Sequence, residues 1–317
     1  MTQMLNGVVL DAASLGEGVD FSALESRLQT LKQWPKTSKE EVIERIQGMQ
    51  VVFTNKVMFD RDVLSKAPHL KLLCVLATGL NNVDLKAAAE FGIEVKNVQA
   101  YGTASVAQHT MTLMLALATR LAQYQHSVAQ GEWQTADIFC LMQYPVMQLA
   151  GKNLVIVGHG ELGQEVSRLA AAFGMKVHVA ARPGNQDDPR PQLAELLPLA
   201  DVVSLHCPLT EQTRDLICSK SLQLCQAHAL IVNCARGGIV NEKDAIEALR
   251  EGRIGGLAVD VLTAEPPCNG NPLLDVIGEG LNLVVTPHSA WLSPEARQRI
   301  VDLSVANLDE FTAQRKD

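Results

Sequence analysis

Six short apolar segments recur at near-even spacing in the second half of the chain, and no other feature constrains its fold as strongly. LVIVG (154–158), KVHVAA (176–181), DVVSLHC (201–207), ALIVNCA (229–235), GGLAVDV (255–261) and NLVVTPH (282–288) each have the length of a strand, with helix-compatible sequence between them. Strands that alternate with helices pair in parallel, because each crossover returns the chain to the same end of the sheet. The pattern therefore predicts an α/β fold with a doubly wound parallel sheet. A shorter version precedes it: GVVLDAA (7–13), MQVVFTNK (49–56) and LKLLCVLAT (70–78) read as strands, with helical stretches at 21–33, 38–47 and 60–67. A length of 317 residues fits two such domains.

Between the two runs, residues 103–133 read as one long helix, apolar over so much of its circumference that water cannot cover it. It is either a buried helix between domains or part of a subunit interface, and the two roles are compatible. A formal net charge of −8 and the lack of a dense basic run exclude a nucleic-acid surface. No apolar run reaches the length of a membrane span and no leader pattern opens the chain, so a cytoplasmic protein is expected. The seven cysteines are scattered without metal or redox spacing, and no HxxxH or paired-carboxylate pattern suggests a metal.

Gly158, Gly160 and Gly163 form GxGxxG directly after the strand LVIV and directly before a helical stretch. That placement suits a dinucleotide: the glycines permit a tight turn, close approach of a pyrophosphate and close helix packing, while the helix N-terminus favours negative charge. The next strand ends in Ala180, Ala181 and Arg182, where NAD-binding folds usually carry an acid for the ribose 2′-hydroxyl. A guanidinium can pair with a 2′-phosphate, so the cofactor is read as NAD(P)(H) with a lean to NADP(H). The alternative is that Arg182 stacks on adenine or faces solvent.

Three later residues suit chemistry on a 2-keto acid. Arg236 ends an apolar strand just before Gly237 and Gly238, at the edge where such sheets bind ligands, and its fork can hold a carboxylate and a carbonyl oxygen. His288 ends another strand, and histidine is the ordinary side chain suited to act as a general acid for keto reduction and a base for the reverse. Glu265, in contact with that imidazole, would favour its protonated form. The remaining histidines, His109, His126 and His159 among them, lie on helices or loops and read as surface or packing residues.

The segments LVIVGHGELGQEVSRLAAAFGMKVHV (154–179), ADVVSLHCPLTEQTRDLI (200–217) and ALIVNCARGGIVNEKDA (229–245) resemble the signature blocks of the D-isomer-specific 2-hydroxyacid dehydrogenases, and the resemblance spans essentially the whole chain. It implies two Rossmann-like domains: a smaller, flavodoxin-like substrate domain from residues 1–100 plus 290–317, and a cofactor domain at 101–289. It also implies an active site in the cleft and a homodimer built around the cofactor domain. On this pattern Arg236 binds and polarises the substrate, Glu265 orients His288, and Asp260 orients the nicotinamide carboxamide. Cofactor contacts fall at Thr103, Gly158, Gly160, Glu161, Leu162, Gly163, Arg182, Cys207, Pro208, Thr213, Cys234 and Ala235. The backbone amides of Thr78, Gly79 and Leu80 receive the substrate carboxylate, on a loop that lacks the second glycine and the Asp of the family's GxGxDN pattern.

Formate dehydrogenases of similar pattern carry glutamine where Glu265 stands, so Glu265 favours keto-acid reduction. The chain stops soon after a helix at 294–312, so feedback regulation of the kind seen in the longer phosphoglycerate dehydrogenases is not expected. The opening segment and PHSAW resemble the glycerate dehydrogenase, or hydroxypyruvate reductase, branch, which implies reduction of hydroxypyruvate and glyoxylate to D-glycerate and glycolate. Trp291 either limits the pocket to small substrates or packs at a domain joint. The rival reading is a dinucleotide-sensing, corepressor-like binding protein on the same fold.

Overall fold

The computed structural model describes residues 4–315. The chain divides into two compact units, one running to Gly102 and resuming at Leu292, the other spanning Thr103–Trp291. The first unit contains β1 (Asn6–Val9), β2 (Thr30–Gln33), β3 (Val51–Thr54), β4 (Leu72–Val75) and β5 (Glu94–Asn97). They form one parallel sheet in the order β2-β1-β3-β4-β5, the flavodoxin-like winding. Val8, Val52 and Leu73 are buried in a single core with Val42, Ile46 and Leu64 from the crossover helices. The C-terminal helix Pro294–Ala313 belongs to this unit and is capped by Ser293, whose side chain accepts from the Ala296 amide.

Two strands here were not anticipated. Residues 21–33 read as helical, yet the helix stops at Glu25 and Thr30–Gln33 is β2. β5 carried no strand reading at all. Both lie at the edges of the sheet, and their sequences, TLKQ and EVKN, are polar because an edge strand is paired on one side only, and no residue of either strand is fully buried.

The second unit contains β6 (Asn153–Val157), β7 (Lys176–Val179), β8 (Val202–Leu205), β9 (Leu230–Asn233), β10 (Gly256–Val259) and β11 (Leu283–Val285), all parallel, in the order β11-β10-β9-β8-β6-β7. These are the six segments expected from the sequence. Val155, Val157, Val203, Leu205, Ile231 and Val259 face one core, and Leu154, Ile156, Val202, Leu230, Val232 and Ala258 face the other. Burial on both faces explains why these strands are continuously apolar.

The stretch 103–133 is two helices, Thr103–Ala118 and Leu121–Ala129, rather than one. Arg120 between them is left-handed (φ 56°). The break has a tertiary cause: the Met147 amide donates to the Ala118 carbonyl at 2.8 Å, taking up an acceptor that helix continuation would use, and the Arg120 Nε donates to the Pro145 carbonyl at 3.1 Å, tying the same later segment to the break. The first helix buries Ala107, Met111, Met114 and Leu117 in the core beneath one face of the six-stranded sheet. Among the described residues no helix is long and apolar enough to cross a membrane, and no cluster of His, Cys, Asp and Glu is arranged to hold a metal. All seven cysteines are free.

Candidate active site

In the six-stranded sheet the winding reverses between β6 and β8, and the GxGxxG loop leaves β6 at that point. Two of its glycines are demanded by the protein itself. Gly158 is left-handed (φ 94°), and a Cβ there would lie 2.7 Å from the backbone of His206 and Cys207 after β8. A Cβ on Gly163 would lie 2.1 Å from the Gly158 carbonyl, so the helix Glu161–Ala172 can pack on the loop only with glycine. A Cβ on Gly160 would meet nothing within 4 Å, so packing does not require the middle glycine. Gly160 is also the N-cap and has no side chain to cap the helix, which leaves first-turn amides for an anionic group. These residues fit a bound dinucleotide.

β9, β10 and β11 are neighbours, and their carboxyl ends lead to Arg236, Glu265 and His288 in turn. Asn233, fully buried at the end of β9, closes the turn to Arg236: its Oδ1 accepts from the Ala235 amide at 3.0 Å and its Nδ2 donates to the Arg236 carbonyl at 2.9 Å. The Arg236 Nη1 donates to the Ala235 carbonyl at 2.6 Å. Next to it, a Cβ on Gly237 would lie 1.9 Å from the Leu262 carbonyl oxygen. Glycine therefore lets the arginine loop lie against the loop that leads to Glu265. The Glu265 Oε1 accepts from the Leu262 amide at 2.8 Å, which leaves Oε2 to accept from the His288 Nδ1 at 2.7 Å. The anticipated Glu265–His288 contact is formed.

His288 is left-handed (φ 52°), a conformation that residues with a Cβ seldom hold unaided. Its amide donates to the Asp260 carbonyl at 2.8 Å. The Asp260 carboxylate accepts from the amides of Ser289 (2.9 Å) and Ala290 (3.0 Å) and from the Thr286 hydroxyl (2.6 Å). Burial pushes the Asp260 carboxyl upward, but hydrogen bonds from His109, Thr286 and the two amides outweigh it and hold the group below the ordinary carboxylate range. In this structure Asp260 secures the loop that carries His288. His109, on sequence grounds a surface or packing residue, has a specific polar role: its Nε2 lies 3.0 Å from the Thr286 Oγ1 and 3.4 Å from the Asp260 Oδ1. Asn233 was also missed, although it directly precedes the CAR segment. His109 gave no local signal, since its partner Thr286 is 177 positions away.

The peripheral residues divide by what occupies their polar atoms. The Thr103 hydroxyl donates to the Glu161 carboxylate at 2.8 Å, so these two expected cofactor contacts are paired with each other. The Thr213 Oγ1 donates to the Pro208 carbonyl and accepts from the Thr210 amide, both at 2.7 Å, and so holds the turn after β8. Leu162 packs on the hydrophobic core beneath the helix. Burial pushes the Cys207 thiol up to about 11 and the Cys234 thiol up to about 12, so neither serves as a thiolate near neutral pH. Burial alone drops His206 to about 3, which rules it out as a proton carrier. Arg182 is exposed at the end of β7. In the other unit, the Thr78 hydroxyl donates to the Val98 carbonyl at 3.1 Å. Among the described residues, the amides of Thr78, Gly79 and Leu80 donate to no protein acceptor.

The sequence model for "D-isomer specific 2-hydroxyacid dehydrogenase, NAD binding domain" matches residues 111–290, the segment holding the glycine loop and the Arg236, Glu265 and His288 loops. The chain belongs to the D-isomer specific 2-hydroxyacid dehydrogenase family. It is thereby an oxidoreductase that uses a nicotinamide dinucleotide. It is 40% identical over 310 residues to a glycerate dehydrogenase of Methylorubrum extorquens, covering 96% of each chain. It is 36% identical over 312 residues to a hydroxypyruvate reductase of Blautia hydrogenotrophica, again covering 96% of each. Among solved structures, the TT0316 protein of Thermus thermophilus superposes with a TM-score of 0.84 at 31% identity, covering 98% of both chains.

Proposed function

We propose that the protein reduces small 2-keto acids, hydroxypyruvate and glyoxylate foremost, to D-glycerate and glycolate. The observation that carries this reading is the Glu265–His288 pair at 2.7 Å on loops adjoining that of Arg236, at the ends of three neighbouring strands. The names of the relatives, glycerate dehydrogenase and hydroxypyruvate reductase, support the substrate class. A nicotinamide dinucleotide held by the glycine loop would supply the hydride. Arg236 offers a fork for the substrate carboxylate and carbonyl oxygen. With Nδ1 donating to Glu265, the His288 Nε2 is the atom that gives the carbonyl oxygen its proton in reduction and takes it back in oxidation. Asp260, read from the family pattern as a partner of the nicotinamide carboxamide, is 1% exposed with its carboxylate taken up by Thr286, Ser289 and Ala290, so its part is to hold the His288 loop, and the amides of Thr78, Gly79 and Leu80 are further donors to a carboxylate.

The cofactor is NADP(H) in preference to NAD(H). β7 ends without an acid, and Arg182 is exposed there. The nearby Asp188 is already engaged: Arg190 binds it bidentately and holds its carboxyl well below the usual range, and the Arg182 amide donates to it at 2.9 Å. The working form is a cytoplasmic homodimer. Leu121, Trp133, Ile138, Phe139, Met142 and Val146, all within one stretch of the cofactor unit, are exposed apolar residues of a kind that a second copy would cover.

Initial rates across a keto-acid panel with NADPH and NADH test the reading. Hydroxypyruvate and glyoxylate should lead, with NADPH preferred. Phenylpyruvate far ahead would overturn the substrate, NADH clearly ahead would overturn the cofactor, and no turnover with any keto acid would overturn the enzyme reading. Sedimentation showing only monomer would overturn the dimer.

A further inference from the structure

The helix Thr103–Ala118 grips the loop 286–290 at both ends. Ser105 and His109 stand one turn apart on one helix face. The Ser105 hydroxyl donates to the Ala290 carbonyl at 2.6 Å, and the His109 Nε2 meets the Thr286 Oγ1 at 3.0 Å. The protons along this chain can be assigned. Asp260, held below the ordinary carboxylate range, is ionised near neutral pH and can only accept, so the Thr286 hydroxyl spends its proton on Asp260 at 2.6 Å. The Thr286 oxygen is then an acceptor toward His109, and His109 must carry its proton on Nε2. One imidazole thus holds one hydroxyl, and that hydroxyl joins two amides in binding the carboxylate beneath His288.

We propose that His109 is a positioning residue for His288, acting through Thr286 and Asp260. His288 is left-handed and so needs its loop held from outside, and most of that loop's bonds run to Asp260 or to this helix. Without the His109 donor, Thr286 can turn away from Asp260, and the grip on the segment before His288 loosens. A catalytic imidazole displaced by a fraction of an ångström loses rate while cofactor affinity is unaffected. The proposal rests on the reading of His288 as the acid/base group.

The test compares His109→Leu, His109→Gln and Thr286→Val in the full-length protein, with thermal denaturation to verify folding. His109→Leu is expected to lower kcat about tenfold or more, with the Kd for NADPH, read by fluorescence, within about twofold of wild type. His109→Gln keeps an N–H donor and should recover most of the loss. The double variant His109→Leu/Thr286→Val should be no worse than the poorer single one, because both cut the same chain. Unchanged kcat in His109→Leu, equal damage from Gln and Leu, multiplicative loss in the double variant, or a matching loss of cofactor affinity would each overturn the proposal. Proton NMR separates this from failure of the enzymatic reading. The downfield resonance of the His288–Glu265 hydrogen bond, identified by its loss in His288→Ala, should shift or broaden in His109→Leu whether or not a substrate is known. An unchanged resonance would overturn the positioning role.

Discussion

The two ends of the ligand edge of the six-stranded sheet are built by different physics. At the β6 and β8 end the backbone comes so close to itself that side chains are excluded, and Gly158 and Gly163 leave no room for even a methyl group. At the β9 to β11 end the shape depends on hydrogen bonds to a few buried polar groups, Asn233 and Asp260 above all. A steric cradle is set by local sequence and tolerates little change. A polar network is assembled from distant residues, and its members can be removed one at a time.

The largest expected effect lies at the polar end, where His288→Ala should cost about 10²- to 10⁴-fold in kcat, the usual span for a general acid, with the fold intact. A loss under tenfold would show that the proton comes from elsewhere. At the steric end, Gly163→Ala should destabilise the fold by about 3 kcal/mol, since its Cβ would meet a backbone carbonyl that cannot step aside. Gly160→Ala should change stability by less than about 0.5 kcal/mol and weaken dinucleotide binding instead. Denaturation curves and cofactor titrations that gave the two variants the same profile would erase the difference between the steric and the ligand-facing glycines.

Asp260→Asn should cost roughly 2 kcal/mol, because an amide must point a donor at one of the donors that now converge on the carboxylate. The pH dependence follows from the lowered folded value. The stabilisation is complete above the ordinary carboxylate value near 4 and fades as pH falls below it toward the folded value. The difference between wild type and Asp260→Asn should therefore shrink in acid, and an unchanging difference from pH 7 to 3 would deny the carboxylate its role. The smallest effect is expected at the opposite edge of the sheet. There Asp201, also lowered despite burial, accepts from the Asn153 amide and the His228 Nε2, both at 2.8 Å. Asp201→Asn should cost about 1 kcal/mol of stability and leave kcat unchanged, so a fall in kcat would show that the two edges are coupled.

The contrast also explains what the sequence revealed. All six strands of the cofactor unit could be read because their cores are apolar on two faces, whereas β2 and β5 were missed because edge strands can be polar. The single helix read over 103–133 failed because only Pro145 and Met147, folded back from later in the chain, end it near Arg120. Arg236, Glu265 and His288 stood out because each ends an apolar strand or lies beside proline or glycine. His109 did not, because a histidine on a helix acquires meaning only from what the helix packs against.

The sequence by itself determined the alternating α/β pattern, the glycine cradle and the residue types at three strand ends, since these depend on hydrophobic periodicity and local backbone sterics. Tertiary structure alone decided that His109 meets Thr286 above Asp260, where the interrupted helix breaks, and that Ser105 and His109 hold the His288 loop. Those last contacts join segments more than a hundred residues apart, and hydrogen bonds of that reach leave no periodic trace in the chain.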